Sequence, residues 1–204
     1  MKIFLTGASS GVGKECKKLL SPTYTVVAPT SDEFNLGNFE HVDSVDLSDF
    51  DIVINCAARN RGTYRGLESN DWQYQAEQVN VNFTGPLLLA KQYLKQRDDG
   101  HFIYVSSTSI ENPRAYNIFM ASSKAALRYS MNVLKKEYPS FVISEVCPGK
   151  IKTNMLKQNY QGSKTDEEIE FEYENQIALT PKQVADAVIL AIRHQLEHIT
   201  ISPR

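Results

Sequence analysis

A short apolar run, Ile3-Phe4-Leu5, leads directly into Thr6-Gly7-Ala8-Ser9-Ser10-Gly11-Val12-Gly13, and a helix-like segment from Lys14 to Leu20 follows. Strand, glycine turn and helix in that order narrow the fold more than any other stretch of the chain. In such a unit Gly7 permits the tight turn, Gly11 lets the backbone approach a diphosphate, and Gly13 allows close helix-strand packing, with phosphate at the positive helix end. Any strand-helix corner that needs φ > 0 also uses glycine, so this turn is a hypothesis that the remaining residues test.

The remaining residues alternate between strand and helix patterns. Tyr24–Ala28 is the second strand, stopped by Pro29, and Asp51–Cys56 is a buried strand. Two segments compete to be the strand between them, Phe34–Leu36 and Val45–Leu47. The latter lies too close to Asp51 for a parallel crossover, so the third strand is placed at 34–36, residues 37–50 form the crossover, and the segment between strands two and three is shortened. Residues 69–96 carry apolar side chains at helical spacing and predict one long helix with a break near Gly85. Further strands are expected at 101–106 and 141–147 and a short last one at 199–201. Helices are expected at 115–138 and, after the Thr180-Pro181 start signal, from there to about His198. Residues 157–176 read as loop with a short acidic helix. The fold class is therefore α/β, a doubly wound, Rossmann-like parallel sheet in a single domain over residues 1–204, with its site at the carboxyl ends of the strands.

The chain has 204 residues and a formal net charge of −2, so no global field draws it to nucleic acid or to an anionic membrane. No long apolar run or signal-like start is present, and the expected location is cytoplasmic. Cys16, Cys56 and Cys147 lack metal spacing and read as buried thiols of a reducing compartment. His194-Gln195-Leu196-Glu197-His198 matches an inverted zinc-protease string, but its place at a helix end, where histidine suits the dipole, argues against a metal site.

The carboxyl edge carries Asn55-Cys56-Ala57-Ala58, Asn80-Val81-Asn82-Phe83-Thr84-Gly85, Ser106-Ser107, Lys124 and Pro148-Gly149-Lys150-Ile151-Lys152-Thr153. In that order the set resembles the short-chain dehydrogenase/reductase family from residue 2 to about residue 201. The resemblance implies hydride transfer between a nicotinamide and a carbonyl or alcohol, with NADP or NAD as coenzyme. It places the coenzyme on Gly7, Ser9, Ser10, Gly11, Val12 and Gly13, on Asn55, Ala57 and Ala58, and on Pro148, Gly149, Ile151 and Thr153. It also implies that Ser107 binds the substrate oxygen, that Lys124 holds the nicotinamide ribose and tunes the proton donor, and that Asn82 anchors a water relay to that lysine. The family's turn usually ends in glycine where Ala58 stands here. Its long helices also pair across a homodimer in many members.

The family's catalytic tyrosine, four residues before the lysine, is replaced by Met120, and the thirteen-residue interval from Ser107 (120 − 107) confirms the register. A thioether donates no proton, and loss of a general acid costs about 10²–10⁴ in rate. Tyr116 is the alternative donor, similar to the arrangement in the enoyl-acyl-carrier-protein reductases, where methionine holds this position and the tyrosine comes three residues earlier, whereas Tyr116 comes four before Met120. A fully helical 116–124 would put Tyr116 about 12 Å along the axis from Lys124, so it serves only if the segment after Pro113 is loop.

Coenzyme choice is set by neither signature at the end of strand two: Thr30 and Ser31 stand there, and Asp32 follows Pro29. The segment at Asn35-Leu36 is similar to that of the extended-branch sugar-nucleotide reductases, which puts Asn35 against the adenine. Arg59, Arg61 and Arg65 at the mouth would suit a carboxylate or phosphate, or lie solvated. The function expected is an NAD(P)-dependent oxidoreductase acting on a small polar metabolite, such as a sugar derivative, without nucleic-acid or membrane partners. The alternative is a dinucleotide-binding regulator or partner subunit that has lost catalysis with its tyrosine.

Overall fold

A computed structural model describes residues 1–60, 67–69, 71–160, 164–175 and 177–203. Six parallel strands form one sheet in the order β2-β1-β3-β4-β5-β6: β1 (Lys2–Thr6), β2 (Thr25–Val27), β3 (Ile52–Asn55), β4 (Gly100–Val105), β5 (Phe141–Pro148) and β6 (His198–Ile201). The chain leaves β1 to one side for β2 and returns to the other for β3, so a crevice opens at the carboxyl ends of β1 and β3.

Alternation of side chains sorts the core into two layers. On one face Ile3, Leu5, Ile54, Ile103 and Val146 bury against α1 (Gly11–Leu20) and α8 (Pro181–His194). On the other, Phe4, Val53, Phe102, Tyr104 and Ile143 meet Leu89 and Tyr93 of α4 (Gly85–Gln96) and Leu127 and Met131 of α5 (Ile118–Glu137). Both faces of the sheet are covered, which is why its strands are apolar almost throughout. Thr180 starts α8 with a full capping box to Gln183, as the Thr-Pro signal predicts. Among the described residues no helix is long and apolar enough to cross a membrane.

The stretch from 72 to 96 is helical without a break, but in three parts: α3 (Trp72–Val79), a π turn (Asn80–Thr84) and α4. Pro86 has no N–H for the Asn82 carbonyl four residues back, and just ahead of it the ladder widens into the π turn, closed by the Gly85 N–H on the Asn80 carbonyl. The break expected at Gly85 is this turn.

The expected third strand at 34–36 is absent, and β2 is the edge of the sheet. Phe34 instead packs edge-on to Phe4, with ring centroids 5.3 Å apart, and Leu36 is buried beneath the sheet. A Cβ at Gly85 would collide with the Leu36 carbonyl oxygen, so the segment is pressed onto the helix rather than laid beside β2. Asn35 Oδ1 accepts from the Gly37 N–H at 2.8 Å, closing a turn that leads into α2 (Phe39–Asp43). The last helix ends at His194 rather than near His198, because Gln195 is left-handed at φ 50° and His198 already belongs to β6. The acidic segment holds two short helices, α6 (Asn154–Asn159) and α7 (Asp166–Asn175).

Candidate active site

The glycine turn is built as its residues require. Gly7 has φ 76°, and a Cβ there would lie 2.5 Å from the Ala57 nitrogen, so the first turn can rest on the loop leaving β3 only as glycine. At Gly13 a Cβ would collide with the Gly7 carbonyl oxygen, which seats α1 against the turn. Beneath, Thr6 Oγ1 donates to Asn55 Oδ1 at 2.6 Å and ties the ends of β1 and β3 together.

Above the turn lies a cleft of about 540 Å³. Gly7, Ser9, Ser10, Gly11 and Val12 line it, together with Ser31, Asn35, Leu36, Ala57 and Ala58 and with Lys124, Ile151 and Thr153. These residues fit a dinucleotide. At Gly11, with φ 52°, an added Cβ would meet only Thr153 Cγ2, so the backbone faces open space. The first turn of α1 has no acidic residue and Ser10 makes no side-chain cap, which leaves the helix N–H groups for a diphosphate. Five expected coenzyme contacts lie off this surface. Gly13 and Asn55 are buried beneath it, Thr30 hydrogen-bonds Glu33 through both its N–H (2.8 Å) and its hydroxyl (3.0 Å), and Pro148 and Gly149 line a neighbouring cavity instead.

Lys124 is 2% exposed and its Nζ donates to the Val105 carbonyl at 2.8 Å. Burial lowers its pKa from 10.5 to about 8, while the neighbouring Cys56 and Glu145 oppose that shift. One helical turn before it, the Met120 sulfur accepts from Asn82 Nδ2 at 3.4 Å. The Asn82 carboxamide also exchanges two hydrogen bonds with the Arg59 backbone, each 2.8 Å, so its side chain is committed to holding the β3 exit loop.

A second cavity of about 310 Å³ adjoins the cleft, and Ser106, Met120, Ile151 and Thr153 line both. Ser107 and Tyr116 line the second cavity, as do Pro148 and Gly149. Ser107 Oγ lies 2.8 Å from Ser109 Oγ and accepts from the Ser109 N–H at 3.2 Å. Helix α5 starts at Ile118, three residues later than the pattern at Ala115 suggests, and Tyr116 sits before it at φ 61°, about half exposed. The segment after Pro113 is therefore loop, which is the condition for Tyr116 to reach the site. The structure thus gathers Ser107, Met120 and Tyr116 around one cavity and Lys124 in the cleft beside it.

Arg59 does not serve as a free cation. Its Nη1 bonds Glu77 at 2.6 Å and its guanidinium stacks over Tyr74. Arg61 and Arg65 lie outside the described residues. Two other cations line the smaller cavity, Arg114 and Lys150. Neither could be chosen from the sequence, because only the pairing of β4 with β5 brings the loops after the two strands side by side. His198, of the zinc-like string, bonds Glu145 through Nδ1 at 2.9 Å, and among the described residues no metal-ligating cluster occurs.

A doubly wound parallel sheet with a glycine turn at its switch point, and a buried lysine facing the same crevice, defines a dinucleotide-dependent α/β enzyme. The sequence model described as short chain dehydrogenase matches residues 39–164, more than half the chain, and the protein belongs to that family of NAD(P)-dependent dehydrogenases and reductases. An uncharacterized oxidoreductase of Staphylococcus epidermidis is 25% identical over 97% of this chain and 93% of its own length. An NADP-dependent 3-hydroxy acid dehydrogenase of Schizosaccharomyces pombe is 23% identical, covering 98% of this chain and 89% of the relative. Among solved structures, a small-chain dehydrogenase in complex with NADPH has TM-score 0.82 at 19% identity, over 99% of this chain and 95% of that one. Serine dehydrogenase complexed with NADP+ has TM-score 0.79 at 19% identity, with 99% and 94% covered.

Proposed function

We propose that this protein interconverts a carbonyl and a hydroxyl group on a small polar metabolite, with the smaller cavity as the substrate site and Tyr116 as the proton donor. The observation that carries this reading is that Tyr116 and Ser107 face one cavity, beside Met120 and next to the Lys124 cleft. When bound, the nicotinamide coenzyme supplies or accepts the hydride.

The residues of the chain do the rest. The Gly7–Val12 turn and the start of α1 hold the diphosphate, Asn35 and Leu36 the adenosine end, and Ala57, Ala58, Ile151 and Thr153 the walls. Lys124 holds the nicotinamide ribose through its ammonium group, which a pKa of about 8 leaves charged at neutral pH. Ser107 orients the substrate oxygen by a hydrogen bond. Tyr116 gives that oxygen its proton, as a phenol placed by a loop rather than by the helix. A water on the Asn82 main-chain carbonyl, which Pro86 deprives of its helix donor, returns a proton from solvent along the Lys124 side of the site. A homodimer through α4 and α5 is part of the same proposal.

The test is NADPH and NADH oxidation against a panel of carbonyl compounds, followed by Tyr116→Phe. Removing the donor is expected to lower kcat by about 10²-fold or more while leaving coenzyme affinity within a factor of two. An unchanged kcat excludes Tyr116 as donor.

A further inference from the structure

Among the described residues two positive charges line the wall of the smaller cavity and no aspartate or glutamate does. Arg114 comes from the loop after β4, and Lys150 from the loop after β5. Among the described residues neither makes an ion pair, although Lys152, Lys157 and Lys164 do. An acid whose field reaches Lys150 is Glu172, and Lys164 holds that carboxylate at 2.9 Å. Lys150 is half-buried, and its pKa is lowered first by burial and then by the neighbouring Arg114 charge. Two like charges facing a partly desolvated cavity repel each other, and an anion between them relieves that repulsion.

The coenzyme's own phosphates do not account for the pair. Neither cation lines the glycine cleft, and the diphosphate end at Gly7–Val12 belongs to that cleft. The remaining walls of the cavity are largely apolar, with Met120, Ile151, Met155 and Leu156 among them. A ligand with one charged end and a hydrocarbon body suits this lining.

We infer that Lys150 and Arg114 form a carboxylate-binding subsite, so that the substrate is an oxo or hydroxy acid whose carboxylate lies against these two cations while its reacting carbon lies at Ser107. The inference rests on the reading of the smaller cavity as the substrate site. The two side chains come from neighbouring loops and converge on one group, and a guanidinium offers a carboxylate two parallel donors. The Lys150 carbonyl accepts from the Leu179 N–H at 2.8 Å, a main-chain bond that side-chain replacement leaves intact.

The experiment compares acetoacetate and levulinate with their methyl esters, on the NADP⁺-saturated wild type and on the Lys150→Met/Arg114→Met double variant. Binding is followed by calorimetry, and KM is measured for any compound that is turned over with NADPH. The acids are expected to bind about tenfold or more tighter than the esters, a preference that weakens in high salt and falls to within about twofold in the double variant. Esters bound as tightly as acids by the wild type, or an acid preference that survives in the double variant, overturn the subsite. NADPH oxidation on the esters at the rate of the acids also overturns it and leaves the oxidoreductase reading standing. Acid-selective binding that depends on the two cations, without turnover of any carbonyl, upholds the subsite and removes the oxidoreductase reading instead.

Discussion

Lys124 shows how a single side chain can be costly to stability and useful to the site. It is as deeply buried as the core leucines around it, yet it carries an amine whose charged form is disfavoured there. With the pKa at about 8 in the folded protein and 10.5 as the ordinary value, the unfolded chain holds more protons between those two pH values. Stability therefore rises with pH across that window, and below pH 8 the buried charge costs about 3 kcal/mol. Lys124→Met removes the titration. The unfolding free energy of wild type relative to this variant is expected to increase by about 2–3 kcal/mol between pH 7 and pH 10.5, measured by urea titration without coenzyme. A difference that stays flat with pH would show that the amine is solvated. His101 gives the same effect at lower pH. It is buried on β4, and since Ser144 Oγ donates to the Leu196 carbonyl at 2.6 Å, the Nε2–H of the imidazole is the donor in the 2.7 Å bond to Ser144. Burial lowers its pKa from 6.5 to about 4. The stability it contributes is complete above pH 6.5 and is lost as pH falls toward 4. His101→Gln should flatten the acid limb of the stability curve across that window.

Between residue and fold, the glycine turn separates two roles that one motif combines. Gly13 is a packing glycine: a Cβ there meets backbone oxygen, which cannot rotate away. Gly11 is a surface glycine with φ 52°, where a Cβ meets only the flexible end of Thr153. Gly13→Ala should lower stability by more than about 3 kcal/mol, since α1 must leave its seat. Gly11→Ala should cost only about 1–2 kcal/mol of backbone strain, yet weaken coenzyme binding about tenfold or more by placing a methyl group over the diphosphate position. Urea midpoints and coenzyme titrations on the two variants decide this, and equal stability losses would contradict the division. This turn was readable from the sequence because its constraints are local, each glycine answering to a neighbour within a few residues or to the adjoining strand. The segment at Phe34–Leu36 was not. Three residues of alternating pattern fit an edge strand or a buried loop equally well, and the deciding contact, Leu36 against Gly85, spans almost fifty residues of chain.

At the scale of the whole molecule, the parallel sheet is what turns scattered residues into a site. The same register that stacks Val105 on Val146 brings Ser107, from the loop after β4, into the cavity that Lys150 lines from the loop after β5. A resemblance of ordered motifs supplied Ser107, Asn82 and Lys124, and the loop start of α5 explained why Tyr116, exposed and left-handed, faces the same cavity. Arg114 lies in no motif and Lys150 only fills an unassigned place in the Pro148–Thr153 motif, because what marks the pair is mutual proximity among charges, a property that exists only once the strands are paired. The cleft is also a thermodynamic lever on the fold, since it is lined by residues far apart in the chain, from Thr6 to Gln158. A ligand that binds this surface only when the sheet is formed must stabilise the sheet. At a free coenzyme concentration of about 100 Kd the gain is roughly 2.7 kcal/mol, and for a chain of this length that raises Tm by about 5–10 °C. Thermal scans with NADP⁺ and NAD⁺ in separate titrations measure it. Among the described residues Asp32 lines the cleft beside Ser31, Phe34 and Asn35 with no lysine or arginine of that segment, and its charge would repel a 2′-phosphate, so NAD⁺ is expected to give the larger shift at equal concentration. A larger shift with NADP⁺ would place the adenosine ribose away from Asp32, and no shift with either at millimolar concentration would mean that the cleft does not hold a dinucleotide at all.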